Sequence, residues 1–186
     1  MTRLERLRPA SLSGDQRALY EAIAGGPRAQ GPFALVDADG GLEGPFNAML
    51  LQPGLGAALQ ALGSAVRYRT ALSARCREIA ILTVARVWDS AFERYAHEAA
   101  GRAAGLSDAE LAALRTGTAP VLTDPREALV LAVTTALAER KDLTDQEYAA
   151  AVDGLGRPAV FELTTLVGYY ATLALQLRVF RVAAPD

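Results

Sequence analysis

Apolar residues recur along the chain with the spacing of helices, and residues that favour helix ends separate them. Four pairs of residues have the spacing of a capping box, in which two side chains bind free backbone amides at a helix start. These pairs are Ser13 and Gln16, Ser90 and Glu93, Ser107 and Glu110, and Thr144 and Glu147. Alternation of apolar and polar residues with a period of two is rare. The pattern therefore predicts an all-α bundle of about seven helices.

Prolines and glycines indicate further helix ends. The helices expected from prolines run from Pro53 to about Tyr68, from Asp124-Pro125 to about Arg140, and from Pro158 to about Phe180. The glycines expected at C-caps are Gly105, Gly117 and Gly154. The first helix should end at Gly25-Gly26. The stretch 25–44, rich in Gly and Pro, should form a long loop with at most a short extended piece.

The helix that begins at Ser73 is apolar on nearly every side. A helix of this kind is expected to be buried rather than amphipathic. We therefore predict that the helices over 73–87 and 90–104 form the core of the fold, with the helix over 158–180 packed against them. The length of 186 residues fits one domain.

Charge and composition narrow the function classes. The 19 Lys and Arg against 21 Asp and Glu leave a net charge of −2, which argues against a nucleic-acid partner. The single cysteine, Cys76, excludes an intramolecular disulfide and a multi-cysteine metal site, and the single histidine, His97, excludes a site that needs two. The charged residues 1–9 do not resemble a signal peptide, and no uninterrupted apolar run approaches the roughly 18 residues of a membrane helix. We expect a cytoplasmic protein without a membrane partner.

One pair of neighbouring helices carries the residues best suited to proton-transfer chemistry. Glu93 and His97 are four residues apart and therefore share one face of a helix. Glu78, near the start of the preceding helix, is close to them if both helices face one cavity. A carboxylate beside an imidazole can donate and accept protons near neutral pH.

Structural roles are also open for each of these residues. Glu93 could bind the backbone amide of Ser90 as part of a capping box, and His97 could be a core histidine bonded to a backbone carbonyl. Glu78 could pair with an arginine at the surface. Cys76 has the character of a small buried apolar residue. Spacing alone does not decide between these roles and catalysis.

The central segment resembles a known family. R-E-x-A-I-L-x-V-A begins at Arg77, W-D-S-x-F-E-x-x-x-H begins at Trp88, and A-G-L-S begins at Ala104. Together they are similar to the carboxymuconolactone decarboxylase and alkylhydroperoxidase D superfamily. The likeness extends to Gly44-Pro45-Phe46-Asn47-Ala48 and to the closing Leu166-Val167-Gly168-Tyr169-Tyr170 segment, so it covers about residues 44–181. It implies an N-terminal helix and loop extension over 1–43 and a family-like helical domain over 44–186.

The resemblance implies an all-helical fold, homo-oligomers (trimers, hexamers or dimers) and no metal or organic cofactor. Glu78 and His97 match the glutamate and histidine of the family's peroxidases, but Ser90 and Glu93 occupy the positions of their two cysteines. Because a thiol peroxidase needs a nucleophilic thiolate and usually a resolving thiol, that activity is not expected here. The decarboxylase branch lacks the cysteines and has a glutamate four residues before the histidine, as Glu93 is placed here.

The resulting hypothesis is a cofactor-free carbon–carbon lyase acting on a small oxygenated acid or lactone, with His97 as acid and base and Glu93 and Glu78 as its partners. Decarboxylation, isomerisation, hydration and lactone opening all remain open. Arg67, Asn47 and Trp88 are candidates for substrate contact, although Arg67 could be solvated and Asn47 could cap a turn. The alternative is a non-catalytic binding or assembly protein of the same fold. An enclosed pocket beside His97 would favour the enzyme.

Overall fold

The computed structural model describes residues 2–185, which form nine α-helices and two short 3₁₀ turns. The helices are α1 (Gly14–Ala24), α2 (Pro45–Met49), α3 (Pro53–Tyr68), α4 (Ala74–Val87), α5 (Ala91–Ala103), α6 (Asp108–Thr116), α7 (Pro125–Arg140), α8 (Asp145–Leu155) and α9 (Arg157–Phe180). The only extended pairing among the described residues is one isolated bridge between Val36 and Leu42. The predicted all-α class is confirmed.

Most helix ends lie where the local sequence predicts them. The capping boxes at Ser13, Ser107 and Thr144 form with both of their hydrogen bonds. Gly117 ends α6 in the left-handed conformation, with φ of 78°. Gly154 is not a C-cap, because α8 continues to Leu155 and ends at Gly156.

Helix α4 is the centre of the bundle, as its apolar sequence predicts. Ile79, Ala80, Ile81 and Val84 are fully buried. The helix packs against α5, α6, α7 and α9. Any polar side chain on the buried part of α4 must therefore find its partners inside the protein.

Helix α9 is long and apolar enough, by length and composition, to span a membrane. Half of its most apolar window is buried inside the protein, however, and it packs against α2, α3, α4, α7 and α8. Leu163 and Leu166 on this helix are fully buried. These contacts are those of a core helix.

The N-terminal segment packs against the same core. Leu19, Ile23, Leu35 and Leu42 belong to its main apolar cluster. Asn47 on α2 holds the first residues in place: its Oδ1 accepts from the Leu7 amide at 3.0 Å and its Nδ2 donates to the Glu5 carbonyl at 3.0 Å. Residues 5–7, which precede α1, are thereby held against α2.

Candidate active site

A tight turn between α4 and α5 brings Glu78, Glu93 and His97 together. The turn at Trp88-Asp89 reverses the chain, and Asp89 adopts a left-handed backbone conformation with φ of 49°. The two helices therefore run antiparallel, and Glu78 lies about as far before the turn as His97 lies after it. The three side chains meet in the interior.

His97 lies between the two carboxylates. Its Nδ1 is 2.6 Å from Glu78 Oε2, and its Nε2 is 3.4 Å from Glu93 Oε2. The exposed fractions of these residues are 2% for Glu78, 3% for Glu93 and 6% for His97. Since Nδ1 is in short contact with a carboxylate, it carries a proton and donates it to Glu78.

Two further residues complete the surroundings of the imidazole. Arg67, from the last turn of α3, donates from Nη1 to Glu78 Oε1 at 3.3 Å. Glu78 therefore accepts hydrogen bonds from both Arg67 and His97. Tyr170 on α9 packs edge-on against the His97 ring, with ring centroids 5.1 Å apart. The ring of His97 is thus held by a charge contact on one side and an aromatic contact on another.

The charges shift the acid–base properties of the pair. Burial by itself would lower the pKa of His97, but the charge and hydrogen bond of Glu78, with a smaller contribution from Glu93, raise it above the ordinary value of 6.5. Burial would raise the pKa of Glu78, yet His97 and then Arg67 hold it below its ordinary value. The site therefore favours an ionised Glu78 and keeps His97 protonated to a higher pH than an ordinary imidazole.

A small cavity of about 30 Å³ adjoins His97. Glu93, His97 and Arg67 line it, whereas Glu78 lies behind the imidazole. The other lining residues are Arg28, Gly31, Pro32, Phe33, Pro45, Phe46, Tyr68, Phe92, Ala96, Tyr170 and Leu173. This volume holds about two water molecules, so a larger ligand requires the surrounding segments to move.

The capping box expected at Ser90 does not form. Ser90 makes no side-chain hydrogen bond to the start of α5, and its Oγ is buried without a partner among the described residues. Glu93 is turned inward toward His97 instead. The interpretation of Glu93 as a helix cap is therefore wrong.

Two predicted substrate contacts are also corrected by the structure. Asn47 does not line the cavity beside His97, and both ends of its amide are bonded to backbone groups of the N-terminal segment. Trp88 lies at the C-terminal end of α4, outside that cavity, and its backbone carbonyl accepts a hydrogen bond from Arg178. Of the three candidates, only Arg67 lies at the cavity.

Several lining residues were not identified from the sequence. Arg28 lies in the Gly- and Pro-rich loop, where no periodic pattern indicates which side chain points inward. Phe46, Phe92 and Tyr170 fall in segments that resemble the family, but a single aromatic residue there is equally consistent with a core position.

The donor set of this site is that of acid–base chemistry. Within residues 2–185, no group of three or more His, Cys, Asp or Glu residues is arranged to hold a metal ion. Burial raises the pKa of the Cys76 thiol, although a hydrogen bond from Ser73 opposes this shift. Cys76 therefore favours the unreactive thiol form.

Comparison with known protein families identifies one match. The family model for the carboxymuconolactone decarboxylase family matches residues 53–136, which include Arg67, Glu78, Glu93 and His97. No curated protein matches the chain in sequence.

Solved structures show the same fold at low sequence identity. An uncharacterised peroxidase-related protein from Ralstonia eutropha, an alkylhydroperoxidase AhpD core, has a TM-score of 0.80 and 13% identity, covering 100% of this chain and 93% of that one. A peroxidase-related protein from Silicibacter has a TM-score of 0.77 and 13% identity, with coverage of 100% and 92%. A debrominase in complex with 2,3,4-tribromopyrrole has a TM-score of 0.77 and 10% identity, with coverage of 100% and 93%. These likenesses establish an AhpD-like fold.

The contact between Glu78 and His97 predicts a raised histidine pKa that depends on Glu78. Because the chain has one histidine, its ring resonances in an NMR pH titration report His97 alone. We expect a pKa of His97 above 6.5 in the wild type. In Glu78→Gln the pKa should be lower, because the negative charge that counteracts the effect of burial is removed. Glu98→Gln, which removes a surface partner of Arg115, is the control and should leave the value unchanged.

The same shift predicts a pH-dependent contribution to stability. The raised pKa means that protonation of His97 stabilises the fold fully below pH 6.5, and that this stabilisation is lost as the pH rises through the native pKa. A wild-type pKa at or below 6.5, or one that does not respond to Glu78→Gln, would contradict this account of the site.

Proposed function

Because the chain belongs to the carboxymuconolactone decarboxylase and AhpD-like superfamily, we propose that it is an enzyme that moves protons at a carbon next to a carbonyl. The substrate is a small oxygenated acid or lactone, and the chain's own side chains serve as acid and base. The observation that supports this proposal is the placement of His97, which lies between Glu78 and Glu93 and faces a cavity. No such arrangement is needed to stabilise a helical core.

Each residue has a distinct role in the proposed reaction. In decarboxylation, the bond between the carboxylate and the adjacent carbon breaks, its electron pair moves toward the carbonyl as an enolate, and carbon dioxide leaves. His97 then donates the Nε2 proton to that carbon, and solvent restores it. Glu78, which does not line the cavity, positions His97 and stabilises its positive charge. Glu93, which does line it, can orient the substrate or exchange a proton with His97.

Related reactions share these requirements. Isomerisation next to a carbonyl needs a base to remove a proton and an acid to return it, and lactone opening needs a base to activate water. The same three residues can provide these steps. Among these reactions, the resemblance to the family favours carbon–carbon bond cleavage. A screen of lactones and β-keto acids would identify the reaction.

Thiol peroxidase activity is not proposed. Ser90 and Glu93 occupy the positions at which the family's peroxidases carry cysteines, and Cys76 lies on α4 in the hydrophobic core. Without a reactive thiolate near His97, the first step of a peroxidase cycle has no nucleophile. A lone cysteine is compatible with the reducing cytoplasm, which is the location we propose.

A non-catalytic binding or assembly role is the second candidate. The volume of about 30 Å³ favours it, because a cavity of this size does not accommodate a lactone as it stands. The two candidates differ in what a histidine substitution does. In the enzyme it strongly lowers turnover, whereas in a binding protein it changes only stability or affinity.

We also propose that the protein forms homo-oligomers through α3 and α9. Large apolar side chains on or next to these helices are exposed, namely Leu51, Leu55, Leu62, Phe161, Leu175 and Val179. Large exposed apolar side chains that are concentrated on one pair of helices favour burial against a partner. A second copy of the chain would bury these side chains.

Light scattering at micromolar concentration tests the oligomer. We expect a mass above that of one chain, and a shift toward the monomer in Phe161→Glu, because Phe161 is 73% exposed on α9. Val121→Glu is the matched control, since Val121 is 87% exposed but lies in the loop between α6 and α7. A monomeric wild type would refute the proposal.

The proposed chemistry is tested by a double-mutant cycle on Glu93 and His97. His97→Gln should lower turnover by roughly 10²- to 10⁴-fold while the protein stays folded. Adding Glu93→Gln to that variant should cause little further loss, because residues that act as one unit are not additive. Melting temperatures are measured beside the rates, with Glu98→Gln as control. Intact turnover in both single variants, with additive losses of stability, would mean that the pair is structural.

A further inference from the structure

Arg28 is a buried cation without an anionic partner among the described residues. It lies in the 3₁₀ turn Pro27–Gln30, its exposed fraction is 9%, and it lines the cavity beside His97. Its Nε and Nη2 atoms are buried and make no hydrogen bond with any described residue, and no carboxylate of residues 2–185 forms an ion pair with it. A buried charge without a partner is unfavourable by itself, so an anion at this position would stabilise it.

The surroundings keep the guanidinium at the cavity. Its Cζ lies 5.4 Å from the centre of the Phe46 ring, a cation–π contact that compensates only part of the lost hydration. On the side of α3, a Cβ atom on Gly63 would lie 2.0 Å from Tyr169 Oη and 2.7 Å from Arg28 Nη2. Glycine at position 63 therefore leaves space in which these two polar groups approach the same point.

Tyr169 lies beside this guanidinium but does not line the cavity. Its Oη is buried and has no hydrogen-bond partner among the described residues. Burial raises the pKa of Tyr169 to about 12, so the hydroxyl keeps its proton and can donate it. Tyr169 therefore supplies no negative charge to Arg28, whose guanidinium remains suited to binding a carboxylate.

The other charges at the cavity are already engaged. Arg67 donates to Glu78, and Glu78 also accepts from His97. Glu93 is the nearest other acid to His97, at 3.4 Å. Of the two arginines that line the cavity, Arg28 is thus the one free to bind an anion from outside.

We propose that Arg28 binds a carboxylate of the substrate and makes the site selective for anionic over neutral ligands. This inference rests on the proposed function and specifies its substrate class: a small carboxylate whose apolar part contacts Phe33, Phe46 and Phe92. A carboxylate must lose its negative charge to leave as carbon dioxide, and a bound guanidinium would oppose that loss. Arg28 therefore binds a carboxylate that the reaction retains.

Calorimetric titration with unreactive probes tests the selectivity. The probes are butyrate and benzoate, each compared with its neutral amide, butyramide or benzamide. We expect the wild type to bind each carboxylate at least 10-fold more tightly than its amide, and Arg28→Met to lose about 10- to 100-fold in carboxylate affinity with little change for the amides. Arg28→Lys, which keeps the charge but not the planar fork, should retain part of the preference.

Arg126→Met is the matched control, because Arg126 is exposed at the start of α7 and forms no ion pair with a described residue. It should bind all four probes as the wild type does. Carboxylates that bind no better than amides to the wild type, or a preference that persists in Arg28→Met, would overturn the inference.

Thermal stability separates a binding role from a structural one. Arg28→Met removes an unpaired buried charge, so the melting temperature without ligand should rise, while butyrate should stabilise the wild type and not the variant. A fall in melting temperature together with an unchanged carboxylate preference would show that Arg28 is structural. These assays measure binding and stability and are therefore independent of turnover. A carboxylate preference without any turnover would support the binding role of Arg28 and would contradict only the proposed enzymatic function.

Discussion

The 2.6 Å contact between Glu78 and His97 makes it possible for ionisable groups to lie at the centre of this helical protein. Helix α4 is buried on nearly every side, and a carboxylate on it would be strongly unfavourable without a positive partner. His97 and Arg67 both supply that partner. The same contact fixes the tautomer of the imidazole and leaves Nε2 next to Glu93 and the cavity. Both the burial of these charges and the proposed chemistry therefore depend on one pair of side chains.

The elements that depend on local interactions could be predicted from the sequence. Ser107 and Thr144 bind amides three residues away, so their spacing alone indicates the helix starts. The apolar sequence of α4 indicates its burial because no polar face remains. Ser90 and Glu93 have the same spacing but form no capping box. Glu93 is instead buried beside His97 and contacts its imidazole. Local sequence does not distinguish a glutamate that caps a helix from one that binds a buried residue one turn further along the same helix.

The parts of the site that could not be predicted are those formed by long-range packing. Asn47 holds Glu5 and Leu7, which precede it by about forty positions, and nothing in its own segment indicates that pairing. Arg28 reaches the cavity from a loop without periodicity and lies outside the residues 53–136 that match the family model. Glu78, Glu93 and His97 thus lie within the matched range, whereas the residue proposed to select an anion belongs to the N-terminal segment of this chain.

The most direct test of the central claim is proton exchange at carbon. A lactone acid or β-keto acid is incubated in deuterium oxide with the protein, and deuterium incorporation next to the carbonyl is followed by NMR. If His97 transfers protons to and from a bound carbonyl compound, the wild type accelerates incorporation for at least one substrate, and His97→Gln returns it to the uncatalysed rate. Equal incorporation with the wild type and His97→Gln across the whole set would contradict the account.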